Sequence, residues 1–215
     1  MNVVLLGATG KVGAPILAEL LDRGHRVTAV VRDPSRLAAE SARLRHRTGD
    51  VFDAAFLADA VAGADVVVCS VALRDPAQRG RTPVELLRGV AAVAADAGVR
   101  LVTLGGAGSL RTGDGVDLVD TPGFPEAAKP ESLGFRAALH ELLERAPAGL
   151  SWAMLSPPAS IEVDGPRTGE YRGGDDTLIV DEDGASRISA ADLAVALVDE
   201  VENPKHHRRR FTVGY

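Results

Sequence analysis

Three glycines at three-residue spacing, Gly7, Gly10 and Gly13, stand between an apolar run at residues 3–6 and an amphipathic stretch at residues 12–21. A chain that leaves a buried strand and enters a helix within so few residues needs a turn that no side chain obstructs. Gly7 suits the tight turn, Gly10 lets the backbone come close to a bulky anionic group, and Gly13 lets the helix pack closely on the strand. The helix start that follows offers free N–H groups and the positive end of its dipole. A glycine triad alone is a weak signal, because any strand-to-helix turn can collect glycines. Here a second apolar run ending at Val31 follows, and that context makes Gly7, Ala8, Thr9, Gly10, Lys11, Val12 and Gly13 a candidate dinucleotide-phosphate loop.

The same rhythm continues along the chain. Apolar runs at residues 27–31, 66–71, 101–104 and 152–155 are separated by helix-patterned stretches such as residues 84–95. Their apolar character is continuous rather than alternating, so both faces of each strand are covered, as in a parallel sheet between helices. The prediction is an α/β fold: a doubly wound, mostly parallel Rossmann sheet with helices on both faces and a small C-terminal substrate-side lobe. A length of 215 residues suits one domain, with a cofactor-binding core at 1–155 and the lobe with a closing helix and strand at 156–215. Gly24 and Gly98 read as helix ends and Pro83 as a helix start. Residues 105–130 form a long Gly-, Pro-, Asp- and Thr-rich connection of the kind that binds something or moves. Pro157, Pro158 and the glycines at 165, 169, 173 and 174 mark the lobe, which takes in residues 177–180. Ser189 reads as an N-cap with Asp192 at N3, a capping box with Asp in place of Glu.

The net charge of -6 provides no basic field for a nucleic-acid backbone. The short basic run His206–Arg210 reads as a solvated stretch of capping cations. One cysteine, Cys69 in an apolar run, excludes an internal disulfide and reads as a buried, inert thiol, so no metal site is expected. The first apolar run is cut by Gly7, too early for a signal core or a membrane span, and the expectation is a cytoplasmic protein with a dinucleotide, a small-molecule substrate and a homo-oligomeric partner as candidate ligands.

The residue after the second strand separates NAD from NADP, since an acid there would bond the ribose 2′-OH whereas an arginine pairs a 2′-phosphate. That residue is Arg32, with Ser35 and Arg36 within reach of the same phosphate, so NADP(H) is preferred over NAD(H). Asp33 is the feature that opposes this reading.

The segment Gly7-Ala8-Thr9-Gly10-Lys11-Val12-Gly13, with Arg32 and Gly49-Asp50-Val51, resembles the atypical short-chain dehydrogenase/reductase superfamily in its NAD(P)H-binding, NmrA-like branch. Further landmarks are residues 104–110, Leu155-Ser156-Pro157-Pro158 and residues 187–194, so the similarity spans nearly the whole chain. The resemblance implies that Asp50 and Val51 approach the adenine, that Ser70, Val71 and Ala72 line the nicotinamide side, and that Gly105, Gly106 and Ala107 flank the reacting ring. From the residues alone Asp50 is equally a helix N-cap, and Val71 and Ala72 could simply finish a buried strand.

Reductases of this superfamily use a Tyr with a Lys four residues on, and that pair is missing: Tyr171 and Tyr215 have no such partner, and the lysines are Lys11, Lys129 and Lys205. Ser109, just beyond the fifth strand, is the candidate hydrogen-bond donor, although its glycine-rich setting also suits a turn-stabilising hydroxyl. Arg136 and His140 share a helix face where the catalytic helix would run, with an exposed helical histidine as the plainer reading.

Two functions follow. One is an NADP(H)-dependent oxidoreductase acting on a small carbonyl, quinone or flavin-like acceptor held between residues 72–81, 105–124 and 157–165, with Arg74 or Ser109 as anchor. The other is a noncatalytic NADP(H)-binding redox sensor whose loops respond to the cofactor. A sugar-nucleotide epimerase fits less well, because it needs the Tyr base and a larger substrate lobe.

Overall fold

The apolar runs become the middle strands of one sheet because each is covered on both sides. The computed structural model describes residues 1–73 and 80–215. Within them the elements run β1 (Asn2–Leu6), α1 (Gly13–Asp22), β2 (Arg26–Val31), β3 (Leu44–Thr48), α2 (Ala54–Val61), β4 (Val66–Cys69), α3 (Pro83–Asp96) and β5 (Arg100–Leu104). Then follow α4 (Lys129–Arg145), β6 (Trp152–Ser156), β7 (Ser160–Glu162), β8 (Arg172–Gly174), β9 (Arg187–Ser189), α5 (Ala190–Glu202) and β10 (Arg209–Gly214).

Eight strands join in the order β3-β2-β1-β4-β5-β6-β10-β8, and every pairing is parallel except that of β10 with β8. Alternate residues of a strand face opposite sides. Val3, Leu5 and Val27 pack with Ile16 and Leu20 of α1 and with Leu193 and Leu197 of α5 on one face. Val4, Leu6 and Val67 pack with Leu57 of α2, Leu86 and Val90 of α3, and Leu139 of α4 on the other. The doubly wound fold is therefore present, with β1 and β4 side by side where the strand order reverses.

β4 stops at Cys69, so Ser70 and Val71 lie beyond the strand rather than inside it. The Cys69 thiol is buried, and loss of solvent pushes its pKa up to about 11, which keeps it protonated and unreactive at neutral pH. β3 carries no apolar run because it is an edge strand that pairs with β2 alone. In the C-terminal stretch, α5 and β10 return to the main sheet and β8 lies along its edge, while β7 and β9 form a separate two-stranded pair. Residues 177–180 form no strand; Thr177 makes one isolated bridge to Arg111.

Two local expectations change in the structure. Ser189 Oγ does accept the Asp192 N–H at 2.9 Å, but Asp192 does not reach back to complete a capping box. Its buried carboxylate instead accepts from the N–H groups of Thr168 and Gly169 and from the hydroxyls of Thr168 and Tyr215, tying the loop before β8 and the chain end to α5. The basic run is solvated only in part: His207, Arg208 and Arg209 are exposed, and the expected capping is present. Arg208 caps the end of α4 by donating to the carbonyls of Ala146, Pro147 and Leu150, His206 bonds Glu200 and stacks on Phe211, and Arg210 is buried. Among the described residues no helix is long and apolar enough to cross a membrane.

Candidate functional site

The carboxyl ends of β1 and β4 border the crevice at the strand-order reversal, where open α/β sheets bind ligands. Gly7 leaves β1 with φ +91°, a left-handed conformation, and a β-carbon there would lie 2.8 Å from the Ser70 carbonyl oxygen. Gly13 opens α1 directly over this turn. A β-carbon on it would overlap the Gly7 carbonyl oxygen and come within 2.9 Å of Ser70 Oγ. Ser70 closes the arrangement, its N–H and its hydroxyl both donating to the Leu6 carbonyl at 2.9 and 3.1 Å.

Between these glycines the Gly10 N–H donates to the Gly7 carbonyl at 3.0 Å, the Gly10 carbonyl accepts from the Ala14 N–H at 2.9 Å, and Gly10 itself is exposed. The start of α1 carries no capping side chain: Val12 occupies the cap position in helical conformation. Among the described residues the N–H groups of Lys11, Val12 and Gly13 meet no acceptor. By contrast α2 is capped by Asp53, and α3 by a reciprocal Thr82–Glu85 box. An uncapped helix start at a glycine cradle, on the binding edge of the sheet, fits a pyrophosphate.

Arg32 emerges exposed at the end of β2. Asp33 turns away into a local cap: its Oδ1 accepts from the Ser35 hydroxyl at 2.7 Å and from the Ser35 N–H at 3.0 Å. These bonds hold the Asp33 carboxyl below the usual carboxylate range. The Ser35 hydroxyl thus donates its hydrogen bond to Asp33, while Arg36 ends the short 3-10 turn Pro34–Arg36 on the same exposed segment.

Asp50 and Val51 follow β3. The cap of α2 is Asp53, which accepts from Ala55 and Phe56, whereas Asp50 makes a tighter turn by accepting the Phe52 N–H at 3.0 Å. Val51 packs against the core on the α2 and α3 face. Val71 and Ala72 continue beyond β4, half-buried and exposed respectively. Arg74 lies outside the described residues, as does most of the expected substrate wall at 72–81. Gly105 and Gly106 are demanded by packing as well as by position: β-carbons there would meet Met154 Sδ at 2.6 Å and Phe135 Cβ at 3.1 Å. Beside Gly105 the fully buried Ser156 hydroxyl has no partner among the described residues.

Ser109 lies on the α4 side of the sheet. Its hydroxyl and its carbonyl both accept from Arg210 Nη1, at 2.8 and 2.7 Å. Arg210 pairs in register with Met154, two residues short of the end of β6, so this contact sits on the flank of the sheet below its carboxyl edge. His140 is exposed and shares with Ser109, Arg111 and Leu143 a hollow of about 330 Å³. Arg136 turns instead to Asp117 and Asp120, at 3.1 and 2.6 Å. Both tyrosines are committed to α5: Tyr171 donates to Asp199 at 2.6 Å, and Tyr215 to Asp192 at 2.6 Å. Lys129 pairs with Glu126.

One buried group escaped the sequence reading. Glu19, on the buried side of α1, accepts two bonds from Arg167 at 2.8 and 2.9 Å and one from Arg23 at 2.7 Å; Arg23 also bonds Asp199 and Glu202. The signal was available, since an acid beside Ile16 and Leu20 in an apolar stripe needs a cation to be buried.

Comparison with known proteins agrees with this geometry. YwnB of Bacillus subtilis is 38% identical over 99% of this chain and 98% of its own. A Bacteroides thetaiotaomicron structure, provisionally named an epimerase, has a TM-score of 0.90 at 37% identity, covering 100% of this chain and 96% of that one. A Streptococcus pneumoniae structure, provisionally named an NADH-flavin reductase, has a TM-score of 0.87 at 31% identity, covering 100% and 99%. A family model described as NAD(P)H-binding matches residues 7–204, and the chain belongs to that NAD(P)H-binding family.

Proposed function

We propose that the protein is an NADP(H)-dependent oxidoreductase that reduces a small quinone, flavin-like or carbonyl acceptor without a Tyr–Lys pair. The observation that carries this reading is the uncapped start of α1 over the Gly7–Gly13 cradle, with Arg32 exposed at the end of the neighbouring strand. The loop N–H groups would hold the pyrophosphate. Arg32 and Arg36 would pair a 2′-phosphate, with Ser35 beside them; the Asp33 carboxylate, occupied by Ser35, competes less for a ribose hydroxyl. Asp50 and Val51 would border the adenine, and Ser70, Val71, Ala72, Gly105 and Gly106 the nicotinamide side.

Bound there, the reduced cofactor supplies a hydride, and the residues' work is to orient it and the acceptor. Both tyrosines are held by carboxylates of α5, which speaks against an epimerase that needs a tyrosine base. An acceptor that stabilises the added electrons itself, taking its proton from water, asks least of the side chains present. The flavin reductase name of the Streptococcus pneumoniae relative supports that class, and a cytoplasmic setting suits it.

The test is calorimetric titration of NADPH and NADH into the protein and its Arg32→Ala variant, followed by NADPH oxidation over quinones, flavins and aldehydes. Arg32→Ala should weaken NADPH at least about tenfold and NADH little. Equal losses would refute the cofactor preference. Tight NADPH binding without turnover on any acceptor would replace the enzyme by a cofactor-responsive binding protein.

A further inference from the structure

At the opposite end of the sheet from the glycine cradle, an open cleft of about 490 Å³ lies between the amino ends of β1–β3 and the last turn of α2. Val3, Val4, Ala60 and Gly63 give it small apolar walls, and Arg26, Arg43 and Arg45 line its rim. Val27, Ala29 and Val31 point into the α1-side core, so Arg26 and Thr28 face the α2 side by strand alternation. Thr28 pairs in register with Arg45, and Val27 with Leu44; one step back along the same register sets Arg43 beside Arg26. Three arginines therefore stand on the face of the sheet that borders one cleft.

Like charges set side by side on a sheet repel, and such a cluster is ordinarily neutralised by carboxylates or by helix-end carbonyls. Here neither is used. Among the described residues none of these three guanidiniums has a hydrogen-bond or ion-pair partner. Of the nearby acids, Asp59 pairs with Arg47, and Asp65 Oδ2 accepts the Asn2 N–H. The chain as a whole carries a charge of -6, so this concentration of unpaired cations is local.

We infer that the cleft lined by Arg26, Arg43 and Arg45 is a second binding site, separate from the dinucleotide crevice, for a small phosphate-bearing anion. Guanidinium forks match phosphoryl oxygens in pairs, the volume lies in the range of small-ligand sites, and the small side chains of the α2 end leave room for a compact organic body. The phosphoryl group comes either as inorganic pyrophosphate or on an ester.

The experiment titrates pyrophosphate, inorganic phosphate and phenyl phosphate into the full chain at constant ionic strength, by calorimetry and by the shift in melting temperature. The same titrations are run on Arg26→Gln, Arg45→Gln and Arg32→Ala. Each of the first two should weaken binding roughly tenfold, and Arg45→Lys should restore part of it, whereas Arg32→Ala, which reports anion binding beside the glycine cradle, should retain the saturable binding that Arg26→Gln loses. A stronger response to phenyl phosphate than to phosphate assigns the site to an ester, and a stronger response to pyrophosphate than to phenyl phosphate assigns it to the inorganic anion. No saturable heat with any of the three, loss of binding in Arg32→Ala alone, or the same shift from sodium chloride of equal ionic strength would overturn the proposal. A purely structural role for the arginines would lower the melting temperature of the glutamine variants without making it anion-dependent.

Discussion

Gly13 rests its α-carbon against the Gly7 carbonyl, leaving no room for a methyl group between the first turn of α1 and the chain leaving β1. The obstruction is backbone, which yields less than the end of a flexible side chain. Gly13→Ala should therefore push α1 off the sheet, lower stability by about 2 kcal/mol or more and remove dinucleotide binding. Gly89 is the contrasting case: it lies exposed within α3 with nothing near its missing β-carbon. Gly89→Ala should stabilise the protein by about 0.5–1 kcal/mol and leave binding intact. Urea denaturation of the two variants checks both, and equal effects would show that position 13 is not close-packed.

The Asp33–Ser35 cap bears on cofactor choice. Ser35→Ala removes the hydroxyl that donates to Asp33 Oδ1 at 2.7 Å and leaves only the backbone N–H on that oxygen. A carboxylate so released can accept from a ribose 2′-OH and repel a 2′-phosphate. The NADPH-to-NADH preference should fall several-fold, through tighter NADH and weaker NADPH. An unchanged ratio in parallel titrations would mean that Asp33 never faces the ribose.

What could be read in advance was whatever depends on local spacing. Strands β1, β2, β5 and β6 were legible because each lies between two helical layers and must be apolar throughout. β3 was not, since its Arg45, His46 and Arg47 sit on a sheet edge where polar side chains reach water. Likewise the glycine cradle is contiguous in sequence, whereas Ser109 with Arg210, and Glu19 with Arg167, join residues about a hundred or more apart. Spacing gave Ser189 as an N-cap, but the partners of Asp192 come from a loop and a chain end whose approach only the folded topology sets. Asp50 shows the same limit at short range: whether Asp50 or Asp53 caps α2 depends on where the helix begins.

Acid sensitivity follows from Glu19. The guanidinium of Arg167, aided by Arg23, holds this carboxyl below the usual carboxylate range despite its burial. A carboxyl whose pKa is depressed by folding adds stability at pH above its unfolded value, and that contribution disappears as pH falls through the folded value. Glu19→Gln should thus cost about 1–2 kcal/mol near neutral pH, allowing for the exposure of Arg167. The gap between variant and wild type should close once the pH drops below the ordinary carboxylate range. Melting curves from neutral to acid pH measure this, and a gap that persisted in acid would exclude the ion pairs as its source.

Ser109 is where chemistry and architecture can be separated. Arg210 Nη1 donates to both its hydroxyl and its carbonyl, while Nε and Nη2 of the same guanidinium bond Asp176. If holding Arg210 is the role of Ser109, Ser109→Ala removes one of four bonds and should cost about 1 kcal/mol, with turnover changed less than about threefold. Arg210→Ala strands the Ser109 carbonyl and should cost about 2–3 kcal/mol. A proton donor would behave in the opposite way, losing roughly a hundredfold in NADPH oxidation at unchanged melting temperature. Because Arg210 pairs at the level of Met154, below the edge where the cradle opens, the expected result is the first: a melting shift in both variants, larger for Arg210→Ala, and activity preserved in Ser109→Ala.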